Sequence, residues 1–256
     1  MITYEFPYNE HIRTLLRLEN LMARCLHFSN QDTANDHQAA LSLIFEITDV
    51  VTRLELKRDI LQDLERARLH FARLADSPNI DENSLLDLLD RISEVYTTLQ
   101  AATGSVGYHV RNNEWLSAIK KRDALPGGVC EFDVPSYHYW ANLDSDIRQQ
   151  HLSEWMAPFL QFHEAISLIL HLTREASSFK SCVAKEGLYQ ENSGAYRLAQ
   201  MLRIHVPKGV ACVPEVMATK HMLQVRFRHP DFGAVKTNGK TQVCEDVSFD
   251  INVCAL

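Results

Sequence analysis

The residues with the most evident capacity for chemistry lie between Pro126 and Trp140, where a cysteine, a histidine and several aromatic residues occur close together in the sequence. Cys130 could act as a nucleophile with His138 as its base, since an imidazole can accept the thiol proton. Pro135 separates the two, which makes this thiol enzyme the weakest of the functions considered. Residues 137–140 are three aromatic residues and a histidine. Such a run is typical either of a bend packed into the core or of an aromatic and cationic binding surface.

A metal site or a second type of enzyme finds little support in the sequence. His163 and Glu164 begin a metalloprotease motif, but that motif needs a second histidine at position 167, which is Ser167. His171 comes eight residues after His163 and points about 80° away around the helix. Neither a nucleophile elbow nor a phosphate-binding loop is present. The sequence therefore predicts a binding or scaffolding protein without catalytic residues, metal or cofactor.

Basic residues cluster locally in a chain whose formal net charge is -7. Arg13, Arg17 and Arg24 fall at helical spacings that place them on one face. Such patches could serve an RNA-binding module, but the acidic balance and the lack of a glycine and aromatic sheet motif argue against nucleic acid as a partner.

Four amphipathic helices are predicted in the first part of the chain, each with apolar residues at the spacing of one helix face. Asn9 caps the first, which covers residues 10–28. Asn35 or Asp36 caps the second, and Asp81 begins the fourth. Short connections between four such helices are typical of an antiparallel bundle.

Further helices follow the predicted bundle. A short helix over 110–123 has a basic polar side, formed by Arg111, Lys120, Lys121 and Arg122. Asp144 or Ser145 caps the next helix, and Pro158 is expected to interrupt it before a very apolar helix over 159–177.

Alternation of apolar and polar residues predicts several short strands. They cover 3–6, 129–134, 202–206, 221–228 and 243–253. Pro135 is expected to end the second of these strands, Asn238 and Gly239 form a hairpin tip, and residues 207–214 form a loop.

These elements predict an α+β protein. A mostly helical bundle domain covers 1–180 and a small antiparallel β domain covers 181–256, with the strands at 3–6 and 129–134 joining the β domain. Its 256 residues, 46% of them hydrophobic, are enough for one large core or two modest ones.

The expected compartment is a reducing cytoplasm. The six cysteines are scattered singly, which suits free thiols better than disulfides. The N-terminus lacks the features of a signal peptide, and the apolar runs end well before the length of about 20 residues that spans a bilayer. We therefore expect neither secretion nor membrane insertion.

Three motifs together resemble the ZapD family of cell-division proteins, and the resemblance extends along essentially the whole chain. They are Asn9-Glu10-x-x-Arg13 with Leu16-Arg17-Leu18-Glu19, the segment Pro126-Gly127-Gly128-x-Cys130-x-Phe132-Asp133-x-Pro135 with His138 and Trp140, and Gly187-x-Tyr189-Gln190-x-Asn192-x-Gly194. The resemblance implies a helical domain joined to a small β domain, and a homodimer formed through the helical part.

The resemblance also implies a function. Members of the family are cytoplasmic, non-enzymatic proteins that bind the C-terminal tail of FtsZ, the tubulin-like division GTPase, and bundle its filaments at midcell, which promotes Z-ring assembly and septation. Basic residues are implicated in this contact, and the matching positions here are Arg17, His138 and Arg226, with Arg111, Lys120, Arg122 and Lys220 as neighbours of similar type. Glu114 and Met222 stand where relatives can place arginine, so the resemblance implies a less basic or rearranged site in this chain.

Overall fold

The structure is a computed structural model that describes residues 1–52, 55–73, 81–102, 106–192, 199–219, 221–230, 232 and 242–256. Within these ranges the helices are α1 (Glu10–Ser29), α2 (Ala34–Thr52), α3 (Leu56–Ala72), α4 (Glu82–Ala101), α5 (Tyr108–Arg111), α6 (Glu114–Asp123), α7 (Pro135–Ala141) and α8 (Ser145–Glu175). The strands are β1 (Ile2–Pro7), β2 (Ser177–Ala184), β3 (Leu188–Asn192), β4 (Met201–Val206), β5 (Val213–Ala218), β6 (Met222–Arg228) and β7 (Val247–Cys254). The prediction of an α+β fold is confirmed.

The chain forms two compact units. One, the helical unit, is Thr14–Leu170, and the other, the sheet unit, combines Met1–Arg13 with His171–Leu256. The sheet unit includes β1, whose strand is expected to join the β domain, and also residues 171–180, which the prediction places in the helical domain.

Capping side chains set where the first helices begin. The Asn9 side-chain oxygen accepts the Ile12 amide at 2.8 Å, as predicted for α1. For α2 the prediction of Asn35 or Asp36 is wrong, because the Thr33 hydroxyl accepts the Asp36 amide at 3.2 Å. Asp81 caps α4 as predicted, by accepting the Ser84 amide at 3.3 Å.

Helix α8 continues through Pro158, so the predicted interruption is wrong. Proline lacks an N–H group, which leaves the carbonyl four residues earlier, on Glu154, without its helical donor. Pro158 and Glu154 are both exposed, so water can hydrate that carbonyl. On the opposite face Met156 and Phe159 are buried, and their packing on both sides of the proline stabilises one continuous helix.

Residues 129–134 form turns, and the predicted strand is wrong. The Cys130 carbonyl accepts the Asp133 amide at 3.0 Å, and the Asp133 carboxylate accepts the Cys130 amide at 3.3 Å. Pro135 is the first residue of α7, where a missing N–H costs nothing because the first helical amides have no partner in the helix. The segment therefore positions α7 and does not join a sheet.

Two antiparallel sheets make up the sheet unit. The large sheet has the strand order β1-β4-β7-β2, and the small sheet has the order β3-β6-β5. Tyr4 pairs with Ile204 in β4, which in turn pairs with Ile251 in β7. Pro214, expected in a loop, lies in β5 at an edge of the small sheet, a position that tolerates proline. The predicted hairpin tip at 238–239 lies outside the described residues.

The sheet unit buries its apolar residues in one cluster that includes both sheets. Alternate residues of the long strands contribute to this cluster. The two-residue alternation of apolar side chains in the sequence therefore determines which face of each strand is buried. The fully buried members are Ala184, Leu202, Ile204, Leu223, Val225, Phe227 and Ile251.

All three tryptophans of the chain lie in the helical unit, where they contact one another. The ring centroids of Trp115 and Trp155 are 5.5 Å apart, and those of Trp140 and Trp155 are 6.0 Å apart. The Trp140 indole N–H donates to His151 at 3.2 Å. Intrinsic tryptophan fluorescence therefore reports on the helical unit.

Candidate functional site

The basic residues singled out by the sequence divide between the two units. Those in the helical unit are Arg17 on α1, Arg111 at the end of α5, Lys120 and Arg122 on α6, and His138 on α7. Arg226 lies on β6 in the sheet unit, and Lys220 lies outside the described residues.

Helix α1 presents basic side chains on the face predicted from their spacing. Arg13, Arg17 and Arg24 are exposed, whereas Leu18 and Met22 between them are fully buried. Arg13 pairs with Glu10 at 3.0 Å, which is a surface ion pair within one turn of the helix. Their common exposure fits a surface that contacts a partner.

Helix α6 is attached through one face and leaves some of its cations unpaired. Leu116 and Ile119 are buried, and Lys120 forms an ion pair with Asp49 of α2. Arg122 and Lys121 are exposed, and neither forms an ion pair within the described part of the chain. The Lys120 ion pair thus helps to attach α6 to α2, whereas Arg122 and Lys121 are available to pair with a binding partner.

The aromatic run at 137–140 lies in helix α7 and combines the two predicted alternatives, core packing and a binding surface, because its side chains point both into the core and to solvent. Tyr137 and Trp140 are buried, whereas His138 and Tyr139 are exposed. His138 Nδ1 lies 3.4 Å from a Glu131 carboxylate oxygen, so the imidazolium form would be paired. The run therefore anchors the helix through two rings and presents an imidazole to solvent.

A hollow of about 480 Å³ lies beside His138. Cys130, Asn35 and Phe132 line it, and the Phe132 side chain is 84% exposed. Among the described residues no hydrogen bond joins the Cys130 thiol to His138, whose Nδ1 instead faces Glu131. The arrangement offers an apolar ring and an imidazole to a partner, and it lacks the contact between nucleophile and base that a thiol enzyme needs.

Arg148 holds the end of α7, a role that sequence reasoning missed. It is only 6% exposed and donates to the carbonyl oxygens of Ala141, Leu143 and Asp32, the last at 2.7 Å. Its Nε donates to His37 Nδ1 at 2.8 Å. Burial lowers the pKa of His37, which keeps the imidazole neutral and able to accept this bond. In the sequence Arg148 is one arginine on an amphipathic helix, and no local pattern distinguishes it.

The small sheet places Arg226 on its outer face. The cross-strand row is Leu188, Arg226 and Glu215. Glu215 pairs with Arg228 at 2.7 Å, and Arg226 has no ion pair within the described ranges. Next to this row, Met217 is 64% exposed.

Met222 lies on the same outer face as Met217. The register pairs Met217 with Gln224, so Met217 and Met222 are diagonal neighbours across β5 and β6. Both side chains are exposed. Gln224 lies between Met222 and Arg226 on this face, so the two methionines form an exposed apolar pair at the other end of β6 from Arg226.

Neither a cluster of metal-ligating side chains nor a membrane-spanning helix occurs among the described residues. Within the described ranges no group of three or more histidine, cysteine or acidic residues could hold a metal ion. The helices in the same ranges include none with the length and apolar character needed to cross a bilayer.

Comparison with known proteins identifies the family. The family model ZapD, described as a cell division protein, matches residues 16–226. The chain belongs to the ZapD family. Cell division protein ZapD of Dechloromonas aromatica (strain RCB) is 42% identical over 257 residues, which cover 100% of both chains.

Other members of the ZapD family match over the same extent. The ZapD proteins of Azoarcus sp. (strain BH72) and of Nitrosomonas eutropha (strain DSM 101675 / C91 / Nm57) are 40% and 39% identical, and each match covers 100% of both chains. Both carry the name Cell division protein ZapD. The likeness therefore includes both the helical unit and the sheet unit.

Proposed function

We propose that this chain binds the C-terminal tail of FtsZ and crosslinks FtsZ filaments as a homodimer at the midcell division site. The observation that carries the proposal is the set of exposed or half-exposed basic side chains on an acidic protein of the ZapD family. Arg17 and Arg226 are the central members, and Arg122 is a third. Solvent-accessible cations on a chain with a net charge of -7 favour an acidic segment as the partner.

Filament bundling follows from tail binding and two-fold symmetry. A symmetric dimer presents the same tail site twice, so it can hold two filaments at once. Each contact need only be weak, because many tails along a polymer raise the effective concentration of the next one. Bundling therefore requires the dimer, and the tail site alone does not suffice.

The proposed function involves no catalysis and takes place in the cytoplasm. It requires no cofactor, metal or membrane insertion. The proposed partner is a protein and not a nucleic acid. Binding by phosphate neutralisation would show the steep salt dependence typical of nucleic-acid proteins. A salt titration with an FtsZ tail peptide, alongside one with an RNA oligomer, separates the two functions.

Reversing the charge of Arg17 or Arg226 should weaken tail binding about tenfold, because each change replaces an attraction to an acidic tail by a repulsion. The measurement is the fluorescence anisotropy of a labelled FtsZ tail peptide titrated with Arg17→Glu or Arg226→Glu. The same variants should reduce FtsZ bundling in a sedimentation assay.

The matched control is Arg91→Glu, which makes the same charge change at an exposed position of α4. It should change the dissociation constant less than twofold. Light scattering checks that each variant keeps the oligomeric state of the parent. Unchanged tail binding by both Arg17→Glu and Arg226→Glu would remove these residues from the site.

A further inference from the structure

A second hollow, of about 350 Å³, lies alongside α6 in the helical unit. Val110 and Leu116 lie beneath it and are almost fully buried, and the exposed Ala124 adds apolar surface that solvent reaches. Arg111, Lys120 and Lys121 also line it. This combination of an apolar floor and basic side chains lies on α6, the helix that also carries Arg122.

The basic charge alone does not identify a binding site. Lysine and arginine are favoured in the last turn of a helix because they interact with the helix dipole, and Lys120, Lys121 and Arg122 occupy that turn of α6. The dipole does not explain why an apolar hollow opens beside the same turn. An apolar surface that stays in contact with water costs free energy, which a partner recovers by covering it.

The two neighbouring lysines differ in what they are free to do. Lys120 is held by Asp49, and Asp123 accepts a hydrogen bond from Ser42 at 2.8 Å, so this side of α6 is fixed to α2. Lys121 is exposed at the rim and forms no ion pair with the residues that the structure describes. Lys121 is therefore the better candidate for contact with a partner, although the family resemblance points to Lys120.

We propose that this hollow binds an apolar side chain of the FtsZ tail while a neighbouring carboxylate pairs with Lys121. The inference rests on the proposed function and adds the chemical class of the bound segment, which is an apolar residue beside an acidic one. A volume of about 350 Å³ is near the lower limit for ligand pockets, which suits one or two side chains better than a whole domain. A purely electrostatic contact would gain nothing from the apolar floor.

The hollow can be filled without changing its charge. Ser117 lines it, and the Ser117 hydroxyl donates to the Arg111 carbonyl at 3.0 Å. Ser117→Phe places a ring in the hollow, and Ser117→Ala is its control because it removes the same hydrogen bond but leaves the hollow open. Ala118→Phe adds a ring at an exposed position of α6 that does not line the hollow.

The experiment measures the affinity of the full-length protein for a labelled FtsZ tail peptide by fluorescence anisotropy. Lys121→Glu and Ser117→Phe should each weaken binding at least fivefold. Ser117→Ala, Ala118→Phe and Arg91→Glu should each change it less than twofold. Circular dichroism checks that each variant keeps the helical content of the parent.

Three other results of this binding experiment would each contradict a specific part of the proposal. If Lys121→Glu and Ser117→Phe bind normally while Arg17→Glu binds weakly, the hollow is not part of the site and the proposed function stands. If Arg91→Glu weakens binding as much as Lys121→Glu, net charge and not the hollow explains the loss. If the parent protein does not bind the peptide at all, the proposed function fails and the inference fails with it.

Discussion

Replacing Arg148 by alanine should lower the free energy of unfolding of the helical unit by about 2–3 kcal/mol, because it leaves the buried His37 and several partly buried carbonyl oxygens without their donor. The guanidinium donates to His37 Nδ1 and to the carbonyl oxygens of Asp32, Ala141 and Leu143. In the alanine variant His37 Nδ1 stays buried without this donor, whereas water can reach the carbonyl oxygen of the exposed Asp32. The measurement is a denaturant titration followed by tryptophan fluorescence, which reports on the helical unit.

Two further variants sharpen this test. Arg148→Lys keeps the positive charge but has a single ammonium group, which cannot reach acceptors on three sides, so it should recover only part of the loss. Arg91→Ala removes an exposed arginine of the same unit and should change stability by no more than about 0.5 kcal/mol. Equal midpoints for Arg148→Ala and Arg91→Ala would show that the buried network contributes little to stability.

Replacing Gly187 by alanine should destabilise the sheet unit by about 3 kcal/mol, through backbone strain and steric overlap together. Gly187 has a φ angle of 72°, a left-handed conformation that alanine adopts at a cost. An added Cβ would also overlap the Val243 carbonyl oxygen, a backbone atom that cannot rotate away. Movement is restricted further because Gly187 accepts the Phe227 amide at 2.8 Å and Phe227 accepts the Val243 amide at 3.1 Å.

Gly209→Ala is the matched control for this prediction. Gly209 has no positive φ angle, and a Cβ placed there meets nothing within 4 Å. Alanine at this position should be neutral or should stabilise by up to about 1 kcal/mol, since it restricts the unfolded chain. Because the sheet unit contains no tryptophan, hydrogen–deuterium exchange of peptides from β6 and β7 is the suitable measurement. Equal protection in the two variants would contradict the expected strain.

Much of the fold could be predicted because periodicity and capping are local properties. The apolar stripe of α1, its cap at Asn9 and the cap of α4 at Asp81 depend on residues within one or two turns of helix. The alternation in β6 likewise puts Arg226 on the face opposite the buried Val225 and Phe227, since side chains alternate whatever the strand pairs with.

The errors occurred where a contact from elsewhere in the chain decided the outcome. Residues 129–134 alternate loosely enough for a strand, but no neighbouring strand pairs with them, and an isolated strand is not stable. Pro158 predicts a break in the helix because proline cannot donate a backbone hydrogen bond. The burial of Met156 and Phe159 on either side of it stabilises α8 by more than the one missing hydrogen bond costs. The predicted loop at 207–214 includes the first two residues of β5, because proline disfavours a strand; the edge position of β5 tolerates Pro214.

For the candidate site, the sequence by itself determined which side chains carry charge, that Arg17 shares a helix face with other arginines, and that the chain resembles one family. Only the tertiary structure decided which of these cations are already paired. Lys120 and Lys121 are identical in type, adjacent in sequence and both line the hollow beside α6, but Lys120 pairs with Asp49 of α2, whereas Lys121 is exposed and has no ion pair among the described residues. The physical reason is that an ion pair or a hollow depends on residues brought together from distant parts of the chain, whereas periodicity depends only on near neighbours.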